Sequence, residues 1–398
     1  MAPATSAAGA GADRRPTVLV LLGCFRDAHE ATGPSQSMIG MARLLGHRFR
    51  FRVLAEEPEP TLAGWTEVAD VEQRALRQGR FGARGLRAAL SATPHDILVM
   101  NSIFCRQLTV PALIMRRLGL VPGSPALLAP RGEFSPGALA LKPRRKRLYL
   151  ALLRRLRLLD GVAIQATTED EAIMIRQAFP AAEIVLGPNV RTLGPLPPHA
   201  AGEPATPLKI AFLSRIDRKK NLDFALRCLA RSGIRADFGI YGPVTHDDYW
   251  AECQRIIADM PDTVSVTYHG AIGQQDVPEA LAGHDLFFLP TRGENYGHAI
   301  VDALAAGLPA LLSDQVPWRG LREAGAGWTL PLDDEAAFIA ALREMAGRSP
   351  DERLAGRRAA RAYVEDQLAR DGAVAALEAC FTQLLDGGAR AGPAPAKH

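Results

Sequence analysis

Short runs of branched apolar residues recur along the chain, each followed by a polar loop and most by a segment with helical spacing. They begin with Thr17–Leu22 (TVLVLL), Phe51–Ala55, Asp96–Met100, Leu127–Pro130, Val162–Ala166 and Ile184–Leu186. After a gap they resume with Lys209–Leu213, Phe238–Tyr241, Val264–Tyr268, Leu286–Leu289 and Ala310–Leu312. Runs of this kind suit strands covered on both faces, and the sheets covered that way are parallel. Parallel neighbours need long crossovers, which the helical segments supply. The gap between the two series, Arg191 to Pro207, carries Pro195, Pro197, Pro198, Pro204 and Pro207 with little apolar periodicity. It reads as an interdomain linker.

A chain of 398 residues is too long for one ordinary core. The expected class is therefore α/β, with two Rossmann-like domains facing a cleft. The expected boundaries are a disordered tail at 1–15, a first domain at 16–190, a linker at 191–207 and a second domain at 208–370. A C-terminal helix at 371–386, free to cross back to the first domain, and a tail at 387–398 complete the chain.

Composition excludes several classes. Hydrophobic residues make up 47% and charged residues 23%, as in soluble globular proteins. A net charge of +4 is too small to indicate nucleic acid by itself. No stretch is apolar for long enough to span a membrane. Cys24, Cys105, Cys228, Cys253 and Cys380 are odd in number and lack CxxC spacing. They read as reduced core thiols of a cytoplasmic protein, without a metal site or disulfide framework. The opening MAPATSAAGAGADRR places its arginines after the apolar residues, the wrong order for a secretory signal.

Several stretches carry candidate chemistry. After Thr17–Leu22 the loop Thr32-Gly33-Pro34-Ser35 leads into helical spacing at Met38–Leu45. This is the opening of a mononucleotide-binding unit, with Gly33 able to bring backbone near a phosphate and Ser35 placed to cap the helix. A plain strand-to-helix connection accounts for those residues equally well. Pro130 to Gly137 (PRGEFSPG) leaves the carboxyl end of a strand, where open α/β sheets collect ligands; a rigid Pro/Gly turn is the plainer reading. Lys142–Leu159 (KPRRKRLYLALLRRLRLL) places Leu148, Tyr149, Leu152, Leu153, Leu156 and Leu159 on one broad helical face amid arginines. Such a helix either lies on an anionic membrane surface or packs against the core with a solvated basic face. No motif or aromatic interleaving points to nucleic acid.

In the second half, Ser214–Asn221 (SRIDRKKN) is a basic loop leaving a strand, and Arg215 and Lys220 are its candidate pyrophosphate ligands. Asp285–Trp318 (DLFFLPTRGENYGHAIVDALAAGLPALLSDQVPW) combines strand, polar loop, helix and strand. Glu294 and Asp302 lie two helical turns apart, and Asn295, Tyr296 and Gly297 stand where a helix start offers free N–H groups.

Together these motifs resemble the retaining sugar-nucleotide glycosyltransferases of glycosyltransferase family 4, which have the GT-B fold. The residues that carry the likeness are Ser214–Asn221, Gly293–His298 through Asp302-Ala303-Leu304, the Gly307-Leu308-Pro309 turn and Ser313-Asp314 with Pro317-Trp318. In the first half, Pro130 to Leu139 resembles the proline-arginine-glycine motif of one bacterial branch. The likeness spans about Thr17 to Leu385 and is most specific in the second half.

The resemblance implies an acceptor-binding first domain and a nucleotide-sugar-binding second domain. Arg215 and Lys220 would neutralise the leaving diphosphate. Glu294 would hold the donor sugar's hydroxyls, the N–H groups of Asn295, Tyr296 and Gly297 its phosphates, and Asp302 the ribose, while Gly33 would approach the β-phosphate. Asp302 stands where the family usually has Glu, Asn295 where many members have Gly, and Asn101 where many have a histidine near the sugar. Asn101, Arg131, Gly132 and His298 are further candidates for sugar or acceptor contact; for His298 and for His29 a structural role is the plainer reading. The resemblance implies no metal and no cofactor, a nucleotide sugar and a glycan or lipid-linked acceptor as partners, and a role in bacterial surface polysaccharide synthesis. Location would be cytoplasmic, with 142–159 as contact to the inner membrane face. A non-catalytic nucleotide-sugar binder, or another GT-B enzyme such as an epimerase or phosphorylase, is the alternative.

Overall fold

The structure is a computed structural model, and it describes residues 15–23, 33–57, 66–68, 71–77, 82–135, 138–139, 143–197, 207–370 and 372–390. Two sheets organise it. The first is built from β1 (Thr17–Leu22), β2 (Arg50–Glu57), β3 (Thr66–Val68), β4 (Val71–Arg77), β5 (Ile97–Asn101), β6 (Ala126–Ala129), β7 (Val162–Ala166) and β8 (Ile184–Leu186). Their spatial order is β3-β4-β2-β1-β5-β6-β7-β8, parallel except for the β3–β4 hairpin at one edge. Helices α1 (Gly33–Leu45), α2 (Gly82–Ala92), α3 (Thr109–Arg117), α4 (Pro143–Arg155) and α5 (Glu169–Ala178) cover it.

The second sheet has β9 (Leu208–Leu213), β10 (Ala236–Tyr241), β11 (Val264–Gly270), β12 (Leu286–Leu289), β13 (Ala310–Ser313) and β14 (Gly327–Leu330), in the order β11-β10-β9-β12-β13-β14. All its pairings are parallel. Its helices are α6 (Leu222–Ser232), α7 (Asp247–Ala258), α8 (Val277–Ala282), α9 (His298–Ala305), α10 (Glu335–Gly347) and α11 (Pro350–Arg370). The architecture is the expected pair of Rossmann-like α/β domains.

The last helix, α12 (Ala373–Arg390), returns to the first sheet. Ala373, Leu377, Cys380, Phe381 and Leu384 are buried in the same cluster as Val18, Val20 and Val53. Phe381 meets Phe49 at 5.4 Å and Phe51 at 6.0 Å between ring centroids. Burying a side chain of this size contributes about 1.5–3 kcal/mol, enough to hold the crossover in place.

Several elements differ from expectation. Helical spacing was expected between the second and third strands, yet Val71–Arg77 forms β4. Its sequence VEQRALR lacks an apolar run because Glu72 instead pairs with Arg52 at 2.7 Å and also with Arg50 across the ladder. Helix α11 escapes pattern reading because its apolar stripe is sparse; buried Arg357 anchors it by donating to the His284 and Ala306 carbonyls. Ser35 does not cap α1, which begins at Gly33 and buries Ser35 in its first turn. The basic stretch does form a helix, but Leu150 and Leu153 are its buried residues. Leu148, Leu152 and Leu156 face solvent, 73%, 50% and 48% exposed, so the expected leucine face is divided between core and water. Cys24, His29, Thr32, Pro136, Gly137 and part of the linker lie outside the described residues.

Candidate active site

The loops at the carboxyl ends of both sheets meet, which is where open parallel sheets bind ligands. On the second-domain side, the Asp217 carboxylate accepts from the backbone N–H of Lys219 (2.9 Å) and Lys220 (3.2 Å), folding SRIDRKKN back on itself. Asn221 follows in the left-handed region, at φ 62°, which asparagine tolerates better than most residues. Its Nδ2 donates to the Pro290 carbonyl (3.0 Å), and its Oδ1 accepts from Arg292 Nε (3.1 Å) and Nη2 (2.9 Å). The Arg292 N–H donates to the Lys219 carbonyl at 2.7 Å. The loop after β9 is thereby stitched to the loop after β12.

That stitching brings Lys220 Nζ onto the Glu294 carboxylate, and each side chain is only 13% exposed. Glu294 is held from behind by its own N–H, which donates to the Gln315 carbonyl at 3.0 Å. Lys219 sits beside the pair, and burial lowers its pKa. Arg215 differs: its side chain is 62% exposed and its nearest acid, Asp217, is 3.5 Å away. It is the cation of this loop with the most freedom to move onto a ligand.

After Glu294 the chain turns at Gly297 (φ 82°) into α9, whose first-turn N–H groups have no intrahelical acceptor. Trp318 Nε1 donates to the Tyr296 carbonyl at 2.6 Å and fixes the turn. Asp302, two turns on, is not aligned with Glu294. Its carboxylate pairs with Arg191 and lies 3.3 Å from Gln274 Nε2, with side-chain exposures of 10% for Arg191 and 13% for Asp302. Burial nevertheless pushes its pKa above the ordinary carboxylate range.

From the first domain, Arg131 follows β6 with φ 49°, and its guanidinium is fully enclosed; burial lowers its pKa to about 10. Its Nε donates to Asn101 Oδ1 at 2.6 Å and its Nη1 to Asn189 Oδ1. Ser37 Oγ donates to the same Asn189 oxygen at 3.2 Å. Glu171 accepts from the Gly132 N–H and from Thr167 N–H (2.8 Å), fixing this loop to the start of α5. Glu133 accepts from Ser102 Oγ (2.6 Å) and the Ile103 N–H (2.6 Å), so it anchors the loop rather than facing the opposite domain. Burial raises its pKa.

The two sides touch. Asn295 Nδ2 donates to Thr167 Oγ1 at 2.9 Å. A Cβ on Gly132, which sits at φ 82°, would come within 2.7 Å of Asn295 Cβ, so any side chain there would force the domains apart. Gly33 lies equally close to His298, 3.2 Å from its Cδ2 by the same measure. His298 Nε2 is 3.2 Å from Ser37 Oγ, and Arg191 Nη1 is 3.4 Å from His298 Nδ1. Burial, with Arg191, Arg131 and Lys220 nearby, lowers the His298 pKa to about 3, so the ring is neutral.

The structure therefore brings Glu294, Lys220, Asn295, Tyr296, Gly297, His298, Asp302, Gly33, Asn101, Arg131 and Gly132 to the facing loops, with Arg215 at their edge. Sequence reading missed Arg191, Asn189, Gln274 and Ser37. The available signal was positional: Asn189 and Arg191 lie where the chain leaves the first domain, hence beside any cleft between the two.

With this geometry in view, residues 207–348 match the family described as "Glycosyl transferases group 1". A Klebsiella pneumoniae protein described as an uncharacterized 41.2 kDa protein in a cps region is 23% identical over 108 residues, covering 27% of this chain and 28% of that protein. The fold is similar to sucrose-phosphate synthase from Thermosynechococcus elongatus (16% identity, 94% of this chain and 100% of that one, TM-score 0.71). It is also similar to Anabaena HepE in complex with UDP and glucose (14%, 94% and 100%, TM-score 0.67). A third likeness is to WaaG, a glycosyltransferase involved in lipopolysaccharide biosynthesis (16%, 93% and 100%, TM-score 0.60). The two-domain architecture is thus the GT-B fold.

Proposed function

We propose that the protein is a retaining glycosyltransferase that moves a sugar from a nucleoside-diphosphate sugar to a glycan or lipid-linked acceptor. The observation that carries this reading is the buried Lys220–Glu294 pair, held by two interlocked loops beside the start of α9. A carboxylate there can accept from sugar hydroxyls, while a lysine and helix N–H groups meet a diphosphate. Arg215 would swing in to complete the cation set. Charge developing on the leaving diphosphate would be neutralised by these groups without a metal ion. The leaving phosphate oxygen would serve as base for attack on the same face, leaving Glu294 to orient the sugar. Asp302, positioned by Arg191 and Gln274, would face the ribose, and Gly33 and His298 would close over the β-phosphate. Asn101, Arg131 and Gly132 would border the acceptor side. The cps-region relative supports a place in bacterial surface polysaccharide synthesis, on the cytoplasmic side where nucleotide sugars are made.

The test is a panel of nucleotide sugars, beginning with UDP-glucose because Anabaena HepE is described with UDP and glucose. Thermal shift identifies the donor by mass action, and its hydrolysis or transfer is then followed with and without EDTA. Wild type should turn over one donor in EDTA, with anomeric configuration retained, and Lys220→Ala should lose about 100-fold or more. A stabilising nucleotide sugar that is never hydrolysed or transferred would instead identify a binding protein.

A further inference from the structure

We infer that the exposed face of α4 docks the protein on an anionic lipid surface and that this face is coupled to the acceptor side of the cleft. Leu148, Leu152 and Leu156 are spaced four apart, so they form a strip within about 80° on one side of the helix. The Leu156 N–H donates to the Leu152 carbonyl at 2.9 Å, so the helical path continues to the end of the strip. All three are about half exposed or more, while Leu150 and Leu153 on the opposite side satisfy the core. The strip is therefore not a packing face left over from the fold.

Charge identifies the occupant. By helical geometry Arg144 and Arg155 flank Leu148, and Arg145 falls between Leu152 and Leu156. All three are exposed, as are Arg147 and Arg154. Residues 143–155 contain no acidic side chain. Among the described residues no carboxylate pairs with these arginines; the nearby Asp160 is engaged by Arg157 at 2.6 Å. Leucines that insert among acyl chains, ringed by unpaired guanidinium groups, suit phosphate headgroups better than a neutral or basic protein surface. Among the described residues no helix is long and apolar enough to cross a membrane, so the contact is peripheral.

The same helix is fastened to the loops that border the cleft. Tyr149 OH donates to the Ile103 carbonyl at 2.6 Å, and Lys146 Nζ donates to the Ala138 carbonyl at 2.7 Å and lies 4.6 Å from the Phe104 ring centroid. Those loops carry Asn101 and Arg131. Docking thus places the acceptor side of the cleft at the headgroup layer, where a saccharide on a lipid anchor would be presented. That last step rests on the transferase reading; the docking itself does not.

The experiment is sedimentation of the full-length protein with vesicles of phosphatidylcholine containing about a quarter phosphatidylglycerol, against phosphatidylcholine alone. Wild type should bind the anionic vesicles at least about tenfold more tightly, with affinity falling as salt rises. The triple variant Leu148→Ser, Leu152→Ser, Leu156→Ser should weaken binding about tenfold or more, and Arg144→Gln, Arg145→Gln, Arg155→Gln should remove the salt dependence. Melting temperature and hydrolysis of the donor in solution should stay at the wild-type level in both. Equal binding to neutral vesicles, no binding, or unchanged binding by the leucine variant would overturn the inference. So would a homodimer in gel filtration that the leucine variant dissociates, since the strip would then belong to a second copy. Failure of donor turnover with intact vesicle binding would sink the transferase reading alone.

Discussion

Two ion pairs with nearly the same burial lie at the facing loops, and they are built differently. Lys220 and Glu294 both belong to the second domain, and the Asn221 side chain and Arg292 lock their loops together before any other element is needed. Arg191 and Asp302 come from opposite sides. Val190 is buried in the core of the first sheet, so Arg191 leaves the first domain to reach α9 of the second. The first pair is a property of one folded domain, whereas the second exists only while the domains are closed. A rigid cation–carboxylate pair suits electrostatic work on a substrate, since its geometry needs no reorganisation during reaction. A pair that spans a hinge suits the control of closure.

The largest effect expected from this contrast is at Lys220. Lys220→Ala and Glu294→Ala should each lower donor turnover by about 100- to 1000-fold. Each single change also leaves a largely buried polar partner unmatched, costing about 1–3 kcal/mol of stability. The double variant should recover melting temperature without recovering turnover. Recovery of both would show that the pair is structural and would remove it from the reaction.

Arg191 and Asp302 should respond in another way. Arg191→Gln and Asp302→Asn should raise the donor KM about tenfold while kcat changes less, because the closed state becomes harder to reach. Their double-mutant cycle should show coupling of about 1–3 kcal/mol, and small-angle scattering should report a more open molecule. A collapse of kcat in Arg191→Gln like that expected for Lys220→Ala would place Arg191 among the groups that stabilise charge, and the contrast would fall.

The same division separates what the sequence discloses from what it conceals. The loops of the second domain are legible because Ser214–Asn221 and Gly293–His298 are contiguous, so residue type and order carry the chemistry. The parallel strands are legible because burial on both faces demands apolar runs such as TVLVLL. Interdomain partners have no such trace. Arg191 meets Asp302 across more than a hundred positions, and which arginine reaches which acid depends on how two domains settle together. Strand β4 and helix α11 were obscured for a local reason: ion pairs to Glu72 and a buried Arg357 replace the apolar side chains that pattern reading requires. The α4 leucines show the converse, since an apolar periodicity reveals a face without saying whether core or water lies against it.

Closure should also depend on pH, through His298. In the closed state burial lowers its pKa from 6.5 to about 3, so the ring stays neutral there while an open or unfolded state would protonate it. Between those values the open state binds more protons, and the closed state loses stability as pH falls, by at most about 1.4 kcal/mol per unit. Asp302 acts with the opposite sign. Its pKa is raised by burial, so below the ordinary carboxylate range the closed state holds its proton more readily and part of the His298 effect is offset. Arg191, Arg131 and Lys220 stay charged throughout. The window governed by His298 alone is therefore about pH 5–6.5, above the range in which Asp302 titrates. Donor labels on one domain and acceptor labels on the other should report opening as pH falls through that window. His298→Gln, which keeps a neutral hydrogen-bonding side chain, should flatten the dependence, and an unchanged slope in that variant would assign the opening to another group.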